Sequence, residues 1–278
     1  MLPVKKIYID SRMKTATSKS TSDFSVDLPV QLLMPENTVF YVDDVTIPVS
    51  WYNIGQHNRN LYVIFYVFSS ATSKYVGYPK KIPLDLGNYN ITTLAEALKQ
   101  KLDFFLKDET DFTANTFSYT INTAKNNIEI KASNTMIAIK FLTDDAIGDT
   151  FVAEQTPYNS LNEVIGNFLP KPLTDNWTTG YINFQSIRNV YIRSPNLGSF
   201  STMSLRGDRD IIKKVPVTAN ANEVIFNNTM ISTDYLECSR QTLSRLEFKL
   251  EDVNGNVIDL NGAHWSCSLI FSKYDTEI

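Results

Sequence analysis

Cysteine and histidine are almost missing from this 278-residue chain: Cys238, Cys267, His57 and His264 are all it has. Two cysteines far apart build neither a zinc site nor a disulfide framework, and such usage fits synthesis in a reducing compartment. Cys267 alternates with polar neighbours in 265–271 and reads as a small buried hydrophobe. His264 opens a strand and His57 sits in a polar loop, so a hydrogen-bonded structural role and a solvated one are expected rather than catalysis. The patterns GxxxxGK[ST], GxGxxG, HExxH, GxSxG and CxxC are absent as well, which removes the common signatures of phosphate, zinc and acyl-transfer sites. No enzymatic activity, metal or cofactor is expected. Charge is lean, 20% of residues, with a formal net charge of -4 and an isoelectric point near 5.3; nothing global drives the chain onto nucleic acid. The longest apolar run, Leu61–Phe68, is too short to cross a bilayer and reads as a buried strand. The first residues lack the apolar core of a signal peptide, so neither a leader nor a membrane span is expected.

What the chain has instead is aromatic and β-forming. Hydrophobic residues make up 43%, with 16 Phe, 14 Tyr and 3 Trp, enough for a substantial core. Strand-like segments recur from 6–9 through 23–28, 38–47, 60–68, 78–84, 116–121, 127–131, 136–142, 186–193, 210–217, 223–226, 243–250, 257–260 and 265–272. Period-two alternation is clear in 117–121 and in Leu246, Phe248 and Leu250. Asn254-Gly255 is expected to close a two-residue type I′ hairpin, and 122–127 a longer one. One segment breaks the pattern: Leu94, Leu98, Leu102 and Phe105 recur at helical spacing, which predicts an amphipathic helix over 91–106, with a threonine cap and Glu96 three residues after Thr93 closing a capping box. A short helical turn is expected at 160–165. Strands, one helix and more strands do not alternate as βαβ units. The reading is all-β: a jelly-roll β-sandwich with one amphipathic helix, its core formed by 1–56 and 179–278. Residues 57–178, with helix 91–106, form an inserted β-rich subdomain or a continuation of the roll.

Few residues invite chemistry. Asp43 and Asp44 interrupt an apolar strand, so one carboxylate is expected to face inward and need an ion-pair partner. The Asp252 loop resembles an EF-hand only superficially, because its Gly falls two positions early and no helices flank it. The tripeptide Arg206-Gly207-Asp208 is a candidate receptor loop, with a plain turn as the alternative. Lys5, Lys6, Arg12, Lys14 and Lys19 face a single acid, Asp10, in the first twenty residues; this basic arm is either solvated or directed at packaged DNA or an acidic neighbour.

The run from DFSVDLP (23–29) to VDDVTIPVSWYNI (42–54) resembles the amino-terminal part of the small capsid (penton) proteins of virophages and polinton-like DNA viruses. IPLDLGNYNITTLAEALKQKL (82–102), FSYTINTAKNNIEIKAS (117–133) and SLNEVIGNF (160–168) are similar to the helix, hairpin and short helix that follow there. The stretches 189–200, 211–217 and 243–271 are similar to the carboxy-terminal strands. The resemblance implies a single jelly roll, five copies of which form the capsomer at each vertex of an icosahedral double-stranded DNA virion. It further implies a partner, the major capsid protein of the same virion, and a location in the capsid after assembly in the host cell. Ring closure needs heterologous contacts, and Trp51 and Tyr52, large residues just after the strand-ending Pro48, are the expected anchors; on that reading Trp51→Ala weakens the ring more than the fold. Their alternative role is to plug the open end of the sandwich. The competing function is a receptor- or glycan-binding β-sandwich, since jelly rolls host both.

Overall fold

Alternation of apolar and polar residues becomes two facing sheets because each strand has one side to bury. The computed structural model describes residues 3–108, 116–134, 136–151, 160–166, 176–197, 202–204, 207, 209–231 and 234–273. In chain order the elements are β1 (Pro3–Asp10), β2 (Asp23–Leu33), β3 (Thr38–Pro48), β4 (Asn60–Ser69), β5 (Lys74–Pro83), α1 (Ile91–Asp108), β6 (Phe117–Asn122), β7 (Asn127–Ala132) and β8 (Ile137–Phe141). Then come α2 (Asp144–Thr150), α3 (Leu161–Val164), β9 (Asn176–Thr178), β10 (Asn189–Arg193), β11 (Ile211–Pro216), β12 (Val224–Asn227), β13 (Leu236–Glu237), β14 (Thr242–Glu251) and β15 (Ser266–Lys273). The chain divides into two units, Met1–Trp51 with Ile187–Ile278, and Tyr52–Ser186.

The first unit is the jelly roll. One sheet runs β1-β15-β3-β12, with β13 also on β3, and the other β11-β10-β14-β2; every pairing is antiparallel. β1, β2 and β3 alternate between the sheets, as do β14 and β15, and those two late strands each lie between earlier ones, the double Greek key of this architecture. Leu246, Phe248 and Leu250 all point into the core, as their alternation requires. There Phe24 meets Trp265 edge-on at 5.7 Å, Phe40 stacks on Phe271 at 5.7 Å, and the Trp265 indole N–H donates to the Thr21 carbonyl. Burying such rings is the main stabilising term.

Three local readings change. The Asp252 turn is not type I′: only Gly255 has positive φ (79°), and the Gly255 N–H donates to the Asp252 carbonyl. The Asp252 carboxylate accepts from the Asn254 and Asn256 N–H groups, favouring a type I turn followed by a left-handed glycine. The segment 257–260 keeps a single bridge, Val257 to Glu251, and no strand. At Asp43 and Asp44 the register of β3 on β15 shifts, a bulge that leaves Val42 and Val45 buried on either side. Both carboxylates thereby escape the core without an inward-facing ion pair.

The second unit has two three-stranded sheets, β5-β4-β8 and β6-β7-β9. Leu94, Leu98, Leu102 and Leu106 form the fully buried column of α1, with Phe105 only partly buried and Phe104 exposed. The cap differs from expectation: the Asn90 side chain accepts from the Thr92 and Thr93 N–H groups, and the Thr93 hydroxyl accepts from Asn90 N–H. Glu96 instead accepts from Gln100 and from the Tyr119 hydroxyl. Asparagine is the stronger cap, and its box closes one turn earlier.

Two glycines in this unit cross at backbone distance. A Cβ on Gly180 would sit 2.2 Å from the Gly166 carbonyl oxygen, and Gly166 itself has φ 68°. Backbone cannot yield as a flexible side chain does, so Gly180→Ala should cost the unit about 3 kcal/mol, the upper end for overpacking. Urea midpoints check this, with Gly148→Ala as control: that position, inside α2, has open space around it and should be neutral or slightly stabilising. Equal midpoints for both variants would refute the crossing.

Candidate assembly surfaces

Among the described residues no three His, Cys, Asp or Glu side chains gather to hold a metal. Both cysteines are buried thiols; burial pushes Cys238 up to about 12 and Cys267 higher still, so neither is a ready nucleophile. His264 shares a 3.1 Å hydrogen bond between Nδ1 and the Ser11 hydroxyl, which also accepts from the Trp265 N–H. Two open surface hollows of about 460 Å³ are present. One is lined by the 120–129 hairpin and Thr178, the other by residues 14–22 and 257–262. Neither encloses a ligand in the manner of a small-molecule site.

Trp51 and Tyr52 separate. Trp51 is 8% exposed and belongs to the core of the roll. Its backbone neighbours are clamped there: Val49 N–H donates to the Glu223 carbonyl, and the Ser50 hydroxyl to that of Leu260. Tyr52 is 40% exposed. Of the pair, Tyr52 alone offers area to a neighbour, because a ring buried in its own core has little surface left.

The basic arm is built into the roll. Lys5 and Lys6 lie on β1, hydrogen-bonded to β15. Lys6 pairs with Asp43 at 2.8 Å, Arg12 with Asp10 at 2.5 Å and Lys19 with Asp23 at 3.7 Å. The Arg12 guanidinium holds the Asp10 carboxyl below its ordinary value. Local acids pair with three of its five charges, and only Lys5 and Lys14 lack an acidic partner among the described residues. Arg206 and Asp208 lie outside the described residues; Gly207 between them is exposed with φ 86°.

Two buried charge sites escaped sequence reading. Arg193 lies between Asp210 and Glu251, at 2.6 Å from each, and ties β10 to β14 and to the start of β11. The two carboxylates raise its pKa above the ordinary arginine value despite burial. Lys213 on β11 is nearly buried and donates to the Thr229 carbonyl at 2.6 Å, with the Val42 carbonyl and Asp234 at 3.4 Å. Buried in the second unit, Asn162 accepts from Tyr62 N–H and donates to the Tyr62 and Leu142 carbonyls. Each directly follows a buried aliphatic residue, Ile192, Ile212 or Leu161, a signal that alone points nowhere.

Comparison with known proteins gives one kind of match. No protein-family model and no curated protein sequence matches the chain. Among solved structures it is similar to the mavirus penton protein, with TM-score 0.50 and 12% identity, covering 97% of this chain and 100% of that one. A chain of the Sputnik virophage structure is also similar, with TM-score 0.43 and 12% identity over 96% and 98%. The chain thus has a penton-like fold, an all-β jelly roll shared over nearly its whole length with the mavirus penton protein.

Proposed function

We propose that this protein is a structural subunit of a viral capsid and, more finely, the penton that forms the vertex capsomer of an icosahedral virion as a homopentamer. The observation that carries the reading is end-to-end likeness to the mavirus penton protein, over 97% of this chain. Likeness restricted to the roll would say little, because rolls of this kind serve many functions. The resemblance of motifs in the sequence points the same way. Its physical work is assembly: identical wedges close a ring by placing one flank against the next copy's opposite flank, and the ring seats among copies of the major capsid protein.

The test is the solution mass of the purified chain, with negative-stain images of what elutes. A closed ring near 158 kDa, five times the 31.6 kDa chain, is expected. A stable trimer would overturn the vertex assignment in favour of a spike or receptor-binding module.

A further inference from the structure

The roll has two flanks, and its exposed apolar side chains are concentrated on them. β1 and β2 edge the two sheets on one side, tied by the short 11–22 link in which Thr15 N–H donates to the Ser25 carbonyl. β12 and β11 edge them on the other, where Lys213 reaches across to the Thr229 carbonyl. Tyr8 on β1 and Leu33 on β2 are 76% and 74% exposed along the first flank, and Val30 on β2 is 67% exposed. Val30 lies where the register of β2 on β14 shifts, so part of β2 bulges out of the sheet. Phe226, 64% exposed, lies with Val224 and Ile231 on the second flank. Met13 and Met230 extend the two groups, and Met203 and Val253, in loops, are the unit's other exposed large apolar residues among those described. The outer faces of the inner strands β15, β3, β10 and β14 carry none.

Charge divides less sharply but in the same sense. Among the described residues, Lys5 and Lys14 are exposed without an acidic partner on the β1–β2 flank, whereas on the other flank the exposed Glu223 and Glu237 outnumber the exposed Lys214 of β11. Pro3, Lys5 and Lys6 along β1 discourage strand addition there, so contact runs through side chains.

We propose that the β11–β12 flank of one copy docks on the β1–β2 flank of the next, with Phe226 and Val224 against Leu33 and Val30 and with the acidic edge facing Lys5 and Lys14. The occupant is a second copy of this chain because the two patches are opposite in position, alike in apolarity and complementary in charge. A foreign partner would require one of them, not both. This deepens the ring reading and rests on it. A head-to-tail contact of this kind closes only as a ring or a filament.

Phe226→Asp and Leu33→Asp test it, each confirmed folded by an unchanged thermal transition; Val224→Lys and Val30→Lys form a second pair should either fail to fold. Each variant alone should be monomeric, with association weakened about 30-fold or more, the scale of a hot-spot residue. Mixed one to one, the two variants keep one intact flank each and should form a dimer of about 63 kDa, twice 31.6 kDa, but no ring. Rings that persist in both variants would overturn the flank assignment and leave the vertex reading standing. Loss confined to Phe226→Asp, or monomeric variants that do not pair when mixed, would also overturn it. A wild-type chain that stays monomeric at every concentration would sink both.

Discussion

Arg193→Met should destabilise the jelly roll by about 3–5 kcal/mol, the range for breaking a buried ion pair from one side. Glu251 is 8% exposed at its side chain and has Arg193 as its ion-pair partner at 2.6 Å, so removing the guanidinium leaves a carboxylate with neither water nor a counter-ion. Asp210 keeps more solvent and suffers less. The discriminating variant is the double substitution Arg193→Met with Glu251→Leu, which removes both charges and should recover most of the loss, because well-packed apolar replacements of a buried pair cost little. Guanidinium midpoints of the four chains complete the cycle. A single substitution costing under about 1 kcal/mol, or a double no better than the single, would refute the account.

Trp51→Ala should lower the stability of the roll by about 3–5 kcal/mol, the cost of emptying a large aromatic site in a close-packed core. The residue sits among buried side chains of that unit, and the strand end before it is held at Val49 and Ser50, so collapse around the cavity is limited. Tyr52→Ala, at a half-exposed position, should stay within about 1 kcal/mol of the parent chain. For Trp51 the expected order is therefore folding before ring closure, the opposite of the one expected from sequence alone. Thermal melts and the solution mass of both variants decide: a Trp51→Ala chain that melts like the parent yet fails to assemble would restore the original order.

Most of the fold was legible because strands with one wet face must alternate. Leu246, Phe248 and Leu250, the helical column from Leu94 and the apolar run from Leu61 all follow from period alone. Where reading failed, local chemistry had close rivals. Asn90 outcompeted Thr93 as the helix cap, and the Asp252 carboxylate converted an Asn-Gly pair from one turn type to another. Helix α2 is short and β13 has two residues; neither is long enough to show a period. Surface was the least legible. Trp51 and Tyr52 are neighbours of similar character, and which one the core takes depends on strands more than a hundred residues away. The basic residues before position 20 look unbalanced until Asp43 and Asp23 are brought beside them.

The placement of β14 and β15 sets a timetable for synthesis. β15 supplies the strand between β1 and β3, and β14 the one between β2 and β10, so the first three strands emerge from the ribosome with their central partners not yet made. Every strand of the second unit, by contrast, lies between β3 and β10 in the chain and pairs only with others from that stretch. That unit can complete itself while the opening strands wait, and their unpaired edges are the aggregation-prone state of the nascent protein. Lysines and proline along β1 then guard the interval before β15 arrives, as well as the finished sheet.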